Sequence, residues 1–359
     1  MQTIKQTSPY IRKAVSTKRM MTDVLIALIP VVAFAIYRFG VDALVIIILS
    51  LVTMIGLEAV AFGMTHKPEK SDKFFVRLKS RYKGYSINNI IIPAISAIIF
   101  AMIVPSKLPP YAVVTGAAFG IVVGKLIFGG TGSNIFNVAA VGRIFIALAL
   151  NDMVAGKYVN VDLVAGSTAL TTIREGGIGF PDALNSYSIL ELFMGNIPGA
   201  MGEISAAAIL LGALYLLIRR SADYRLMLSS TLTFIILITL AGLRLYPGNV
   251  LNFTLYQLFA GGLIFGVVFM ITDPVTSPVT RPGRWIYGIM VGALVVLIRL
   301  FGAYPEGVAF ALLFSNMFVP LIDYPKWATN KFKPVFILSC IAVIAILGLV
   351  VYFGVGGAL

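Results

Sequence analysis

The chain has one cysteine, Cys340, and one histidine, His66, in 359 residues. A Cys/His metal site built by this chain alone is therefore excluded, because a tetrahedral site needs several such ligands. Charge is scarce as well: 12% of residues are Asp, Glu, Lys or Arg, against about 25% in a soluble domain. Acidic residues are the scarcer kind, 15 against 28 basic ones, leaving a formal net charge of +13. What fills the space is apolar, with 59% hydrophobic residues and a mean hydropathy of +0.95, so the sequence predicts an integral membrane protein. No cleavable leader is expected: the first 21 residues are polar and basic, and no small-residue cleavage site follows the first apolar run.

A helix needs about 20 apolar residues to cross a bilayer. Such runs fall at 22–37, 41–64, 87–103, 110–128, 135–150, 201–218, 226–241, 253–271, 284–301, 304–322 and 335–353. The fold class expected is an all-α polytopic membrane protein of about ten transmembrane helices in two inverted five-helix halves, with an extra C-terminal helix. The divisions are a cytoplasmic N-terminus at 1–21, a first half at 22–150, an outer-face loop at 151–200, a second half at 201–322 and the extra helix at 335–353.

Basic residues set the orientation. Twenty of the 28 fall in the N-terminus, in the 65–86 loop and in the loops after the sixth, eighth and tenth runs. Only Arg38, Lys107, Lys157, Arg174 and Arg244 occupy the opposite side. The N-terminus is thus expected inside and the 151–200 segment outside. The positive charge reads as an insertion signal, and no nucleic-acid partner is implied; the lipid bilayer is.

Two segments echo one another. Ala118-Phe119-Gly120-Ile121-Val122-Val123 leads to Gly142-Arg143, and Ile264-Phe265-Gly266-Val267-Val268 leads to Gly283-Arg284. Each is read as the fourth-to-fifth crossing of a five-span half, and five being odd, the halves would be inverted. The alternative is that such pairs recur by chance in any glycine-rich membrane protein.

Polar groups stand out against this background. Gly129-Gly130-Thr131-Gly132-Ser133-Asn134 is a glycine-dense turn with no Gly-Lys-Ser/Thr after it, so it is not a phosphate-binding loop of the nucleotide type. Thr272-Asp273-Pro274-Val275-Thr276-Ser277-Pro278 must break a helix, either as a tight turn at the membrane rim or as exposed backbone lining a cavity. Glu58, Lys125, Arg143, Glu191, Glu203, Arg299 and Glu306 lie in or beside spans, where ionisable groups are costly. Each is either functional or a paired or rim residue, and Glu203 is expected to favour the dipole at the start of the sixth span. In the long outer loop, Ala165-Gly166-Ser167-Thr168-Ala169-Leu170-Thr171-Thr172 presents a threonine hydroxyl among small residues, with Asp162 six positions before it.

In chain order, the segments Phe128–Asn137, Gly195–Glu203 and Phe269–Pro278, then Tyr304-Pro305-Glu306-Gly307 and Asp323-Tyr324-Pro325, resemble one family. It comprises the D subunit of the Rnf complex and the B subunit of the Na⁺-translocating NADH:quinone oxidoreductase. The resemblance covers roughly residues 10–326. It implies covalent FMN, attached by a phosphoester to the threonine of a Ser-Gly-Ala-Thr motif on the outer side. The matching residue is Thr168, with Ser167, Gly166 and Asp162 around it; serine and alanine have exchanged places relative to the pattern, so Ser167, Thr171 and Thr172 are rival acceptors. A second, non-covalent riboflavin is implied without residues to hold it. The quinone-reductase member has a longer segment before its first span, which favours the Rnf member. That assignment predicts an inner-membrane ferredoxin:NAD⁺ oxidoreductase coupled to Na⁺ or H⁺ export. The other Rnf subunits (A, B, C, E and G, above all the flavin-bearing G) would be partners, and the chain would be inactive alone. The family usually ends after ten spans, so the helix at 335–353 is additional. The alternative function is a channel or solute transporter of the urea-transporter-like fold.

Overall fold

In the computed structural model the described residues are 16–68, 74–150, 158–159, 165–166, 170, 187–302, 307–324, 328 and 330–357. They form helices α1 (Thr17–Phe39), α2 (Val41–Thr65), α3 (Phe74–Arg81), α4 (Asn88–Met102), α5 (Pro110–Gly124, continued by a 3₁₀ turn) and α6 (Val138–Ala149). After the two-residue antiparallel strands β1 (Tyr158–Val159) and β2 (Ala165–Gly166) come α7 (Ile189–Met194), α8 (Ala206–Arg219), α9 (Tyr224–Leu245), α10 (Val250–Phe259), α11 (Leu263–Met270), α12 (Arg281–Phe301), α13 (Val308–Ile322) and α14 (Pro334–Gly357). The protein is an all-helical polytopic membrane protein.

Each apolar run of the sequence is a helix here, but not each is a full crossing. Among the described residues, α1, α2, α5 with its 3₁₀ turn, α9, α12 and α14 are long and apolar enough to cross a bilayer. Helices α4, α6, α8 and α13 have 12–15 residues, a rise of about 18–23 Å at 1.5 Å per residue. That is less than the roughly 30 Å hydrocarbon core. The run at 253–271 is α10 and α11, bent by 58° at a break. Short and broken helices leave backbone ends at membrane depth, which must then be satisfied inside the protein.

Local sequence sets the helix starts. Ser16, Asn137, Ser188 and Ser205 each accept a hydrogen bond from the backbone N–H three residues on, and Asp223 accepts one from Arg225, satisfying first-turn donors that have no helical partner. At α7 the cap is reciprocal, with Glu191 reaching back to Ser188. The Ser188 amide and hydroxyl hold the Glu191 carboxyl below its usual range.

Small residues decide which helices touch. Helix α5 carries Gly116, Gly120 and Gly124 at four-residue spacing; a Cβ on Gly120 would lie 2.8 Å from the Val138 carbonyl oxygen of α6. On α12, Gly288 and Gly292 lie against Ser229 and Ser230 of α9, where an added Cβ would collide with the Ser229 hydroxyl and the Ser230 carbonyl. In lipid, close backbone approach of this kind replaces the hydrophobic effect as the cause of helix association.

The neighbours repeat. Helix α2 packs on α4 and α5, and α5 on α6; likewise α9 packs on α10 and α12, and α12 on α13. The leading helices α1 and α8 pack against each other, as do the closing helices α6 and α13. The Phe-Gly echo does not mark this correspondence. Its first copy lies in α5, the fourth span of the first half, but its second lies in α11. In chain order α11 completes the third span of the second half, so the two copies do not occupy equivalent crossings.

Contacts between loops sort the bundle into two ends. At one, Lys107 pairs with Asp42 at 2.6 Å, and the amides of Met201 and Gly202 donate to Val104 and Met102 carbonyls. At the other, Arg81 donates to the Gly63 carbonyl at 2.8 Å, Ser221 to Asp23 at 2.5 Å, and Arg284 to Asp223. The second end collects the basic loops and is called the basic end below.

Candidate functional site

Two helix breaks meet at the basic end. The first runs from Lys125 to Asn137 and contains Gly129, Gly130 and Gly132, all with positive φ, a conformation that glycine adopts without a Cβ penalty. The second, 271–280, follows the π-helical turn Gly266–Met270. The Asn137 side chain joins them. Its oxygen caps α6 through the Ala140 amide at 3.2 Å, and its nitrogen donates to the Met270 carbonyl at the end of α11 at 3.5 Å. With the Asn316 side-chain amide assigned in the orientation that satisfies its neighbours, its oxygen accepts from the Asn137 backbone amide at 3.1 Å. That orientation leaves the Asn316 nitrogen to donate to the Leu312 carbonyl at 2.7 Å and the Tyr287 hydroxyl at 2.5 Å. Four helices, α6, α11, α12 and α13, thus begin at, end on or pass beside one polar knot.

Beside it lies a cavity of about 150 Å³, lined among others by Lys125, Thr131, Asn134, Asn137, Thr272 and Asp273. Lys125 is 1% exposed and its ammonium lies 3.0 Å from the Glu58 carboxylate, itself 5% exposed. The two groups form a buried charge pair. Thr131, from the glycine turn, donates to the other Glu58 oxygen at 3.1 Å. The turn is therefore tied to α2 through Glu58. Across the cavity, the Asp273 carboxylate accepts from the Val275 amide at 3.1 Å and the Thr276 hydroxyl at 3.2 Å, which closes the turn at Pro274. Residues 272–275 thus form a tight turn at the basic end that also lines the cavity, so both features expected of 272–278 are present.

The break between α10 and α11 lies at the other end. Arg299 of α12, 7% exposed, donates to the Gln257 carbonyl at 2.5 Å and the Ala260 carbonyl at 3.3 Å, with its guanidinium 5.0 Å from the Phe234 ring centroid. It supplies positive charge where α10 ends. Glu203 lies two residues before Ser205, the residue that caps α8, and its carboxylate also packs on Gly262, the residue before α11. A cation at a helix C-terminus and an anion at an N-terminus both oppose the dipole charges exposed by the break.

Sequence reasoning missed Asp23. It is 2% exposed within α1 and accepts from Tyr215 at 3.2 Å, Arg219 at 3.2 Å and Ser221 at 2.5 Å, locking α1 to α8. It stands at the edge of an apolar run, and its partners are 192 to 198 residues away.

The outer-loop residues are placed only in part. Gly166 pairs with Tyr158 in the short strand ladder, and Leu170 is buried in the apolar core at 5% exposure. Asp162, Ser167 and Thr168 lie outside the described residues, as do Thr171, Thr172 and Glu306. Among the described residues no three His, Cys, Asp or Glu side chains come together as metal ligands do.

A family model described as the NQR2, RnfD, RnfE family matches residues 4–330. The B subunit of the Na⁺-translocating NADH-quinone reductase of Chromohalobacter salexigens is 33% identical, over 89% of this chain and 84% of that protein. The corresponding protein of Haemophilus influenzae is 33% identical over 90% and 87%, and that of Neisseria meningitidis 31% over 89% and 87%. Helix α14 lies beyond the matched residues. With the match running from the N-terminal segment through the glycine turn, both helix breaks and the end of α13, the chain belongs to the NQR2, RnfD, RnfE family.

Proposed function

We propose that this chain is the membrane flavoprotein subunit of an ion-translocating ferredoxin:NAD⁺ oxidoreductase, with FMN on Thr168 at the outer face. The observation that carries the reading is the family match over 4–330, with Ala165-Gly166-Ser167-Thr168 at the threonine that the sequence resemblance assigns. The relatives named above are of the NADH-quinone type. The ferredoxin-linked assignment rests on the sequence resemblance alone, and copurification with the C and G subunits of that complex tests it. Recovery with quinone-reductase subunits instead overturns it.

FMN would supply one-electron carriage at the outer face. The chain's own part is to supply the small-residue acceptor segment 167–169, which β2 and Leu170 flank in sequence. The second flavin is assigned to no residues. At about 150 Å³ the cavity at the basic end is smaller than the roughly 300–1,000 Å³ of most ligand sites, so riboflavin does not fit it as it stands.

The orientation follows from the basic end facing the cytoplasm. A reporter active only in the cytoplasm gives signal when fused after residue 222 and none after residue 160; the opposite pattern overturns the outer-face site. Protein expressed with the family's flavin transferase gives a fluorescent band under ultraviolet light on a denaturing gel. A dark band from correctly inserted protein favours a channel or transporter.

A further inference from the structure

Where α14 begins, it forms a second cleft with the first turns of α12 and the end of α13, about 280 Å³ in volume. This cleft is separate from the cavity between the helix breaks and shares no lining residue with it. Lys331 and Lys333 line it, and its other walls include Ile286, Ile322, Val335 and Phe336. Part of the site, from Lys331 onward, lies beyond the residues that the family model matches.

We propose that this cleft binds the headgroup of an anionic phospholipid, its phosphate diester held by Lys331 and Lys333. The position favours a lipid over a free anion. The cleft opens at the level where three helices end, and α14 continues from it with Ile337, Leu338 and Ile341 exposed, a surface suited to an acyl chain. Basic pockets between membrane helices bind anionic headgroups in this way. The nearby acid, Asp323, does not line the cleft; its oxygens are held by the residues that lead into α12. Asp323 accepts from the Val279 amide at 2.6 Å and from the Thr280 amide and hydroxyl at 3.3 and 2.6 Å. The Arg281 amide donates to Asn330 at 3.2 Å, fixing the loop that carries the lysines to the start of α12.

The test is native mass spectrometry of the full chain in mild detergent, offered equal amounts of phosphatidylglycerol and phosphatidylcholine. One phosphatidylglycerol is retained in clear preference. Lys331→Gln with Lys333→Gln lowers that retention on the order of tenfold, since each basic residue at a membrane surface contributes severalfold. Arg77→Gln with Lys79→Gln, on the exposed face of α3 at the same end, leaves it unchanged. Equal retention of the two lipids by the unaltered chain overturns the proposal, whether or not the variant folds. So does undiminished retention by the lysine variant, and displacement of the lipid by excess inorganic phosphate marks a free-anion site instead.

Discussion

Glu58→Ala destabilises the protein by about 3–5 kcal/mol, the usual consequence of leaving one charge of a buried pair alone. Lys125 is 1% exposed and its ammonium lies 3.0 Å from Glu58, so removing the carboxylate leaves a buried ammonium without its counter-charge. Replacing both partners by apolar groups of similar volume, Glu58→Leu with Lys125→Met, restores most of the stability, because the charge that needed solvation is gone. Thr131→Val removes one hydrogen bond to a charged acceptor, worth about 1.5–3 kcal/mol, and falls between them. The measurement is thermal loss of monodisperse protein in one detergent across the series, read as rank order. A single Glu58→Ala variant as stable as the unaltered chain refutes the pair's structural role. A double variant no better than the single one shows that Glu58 acts through Thr131 and the glycine turn rather than through Lys125.

The helices were legible because hydropathy is local. Runs of apolar residues at the bilayer length identify α1, α2, α9, α12 and α14 with ends correct to a few residues, and caps such as Ser16 and Asn137 stand beside them. The break in the eighth run was not legible that way. Ala260-Gly261-Gly262-Leu263 stays apolar throughout, so mean hydropathy does not fall where the chain bends by 58°. The one local signal was the glycine pair, Gly261 having φ +75°. The carbonyls freed there are capped by Arg299, whose hydrogen bond to Gln257 spans 42 residues of sequence. The same reason hid the site's pairing. Glu58 and Thr131 are 73 residues apart, and Asn137 and Met270 are 133 apart. Sequence marked Glu58, Lys125 and both polar breaks as unusual, because polar groups in an apolar run are visible one at a time. Which of them meet is a property of the packing, set by glycine contacts such as Gly120 on Val138 and Gly292 on Ser230. That spacing was present in the sequence as repeats of four, and it is the signal that would have paired α5 with α6 and α9 with α12.

Thr168→Val abolishes covalent FMN while leaving the protein inserted and the right size. A phosphoester needs a hydroxyl oxygen, and valine keeps the branched shape while removing only that atom. Insertion is unaffected because the spanning helices and their caps lie elsewhere, the nearest described anchors being β2 and the buried Leu170. Thr168→Ser retains an acceptor and keeps part of the flavin, unless the transferase reads the threonine methyl. Thr171→Val and Thr172→Val leave the flavin in place, since neither follows Gly166 at the spacing the resemblance assigns. Ser167→Ala is the decisive control, because the exchange of serine and alanine puts a second hydroxyl next to Thr168. Under ultraviolet light, the Thr168→Val band is dark and the Ser167→Ala band fluorescent; mass spectrometry of residues 158–174 then locates the adduct. An FMN mass on Ser167, Thr171 or Thr172, or a fluorescent Thr168→Val band, moves the attachment off Thr168. A dark band from every variant and from the unaltered chain, with the transferase present and active on a known substrate, removes covalent flavin from the function altogether.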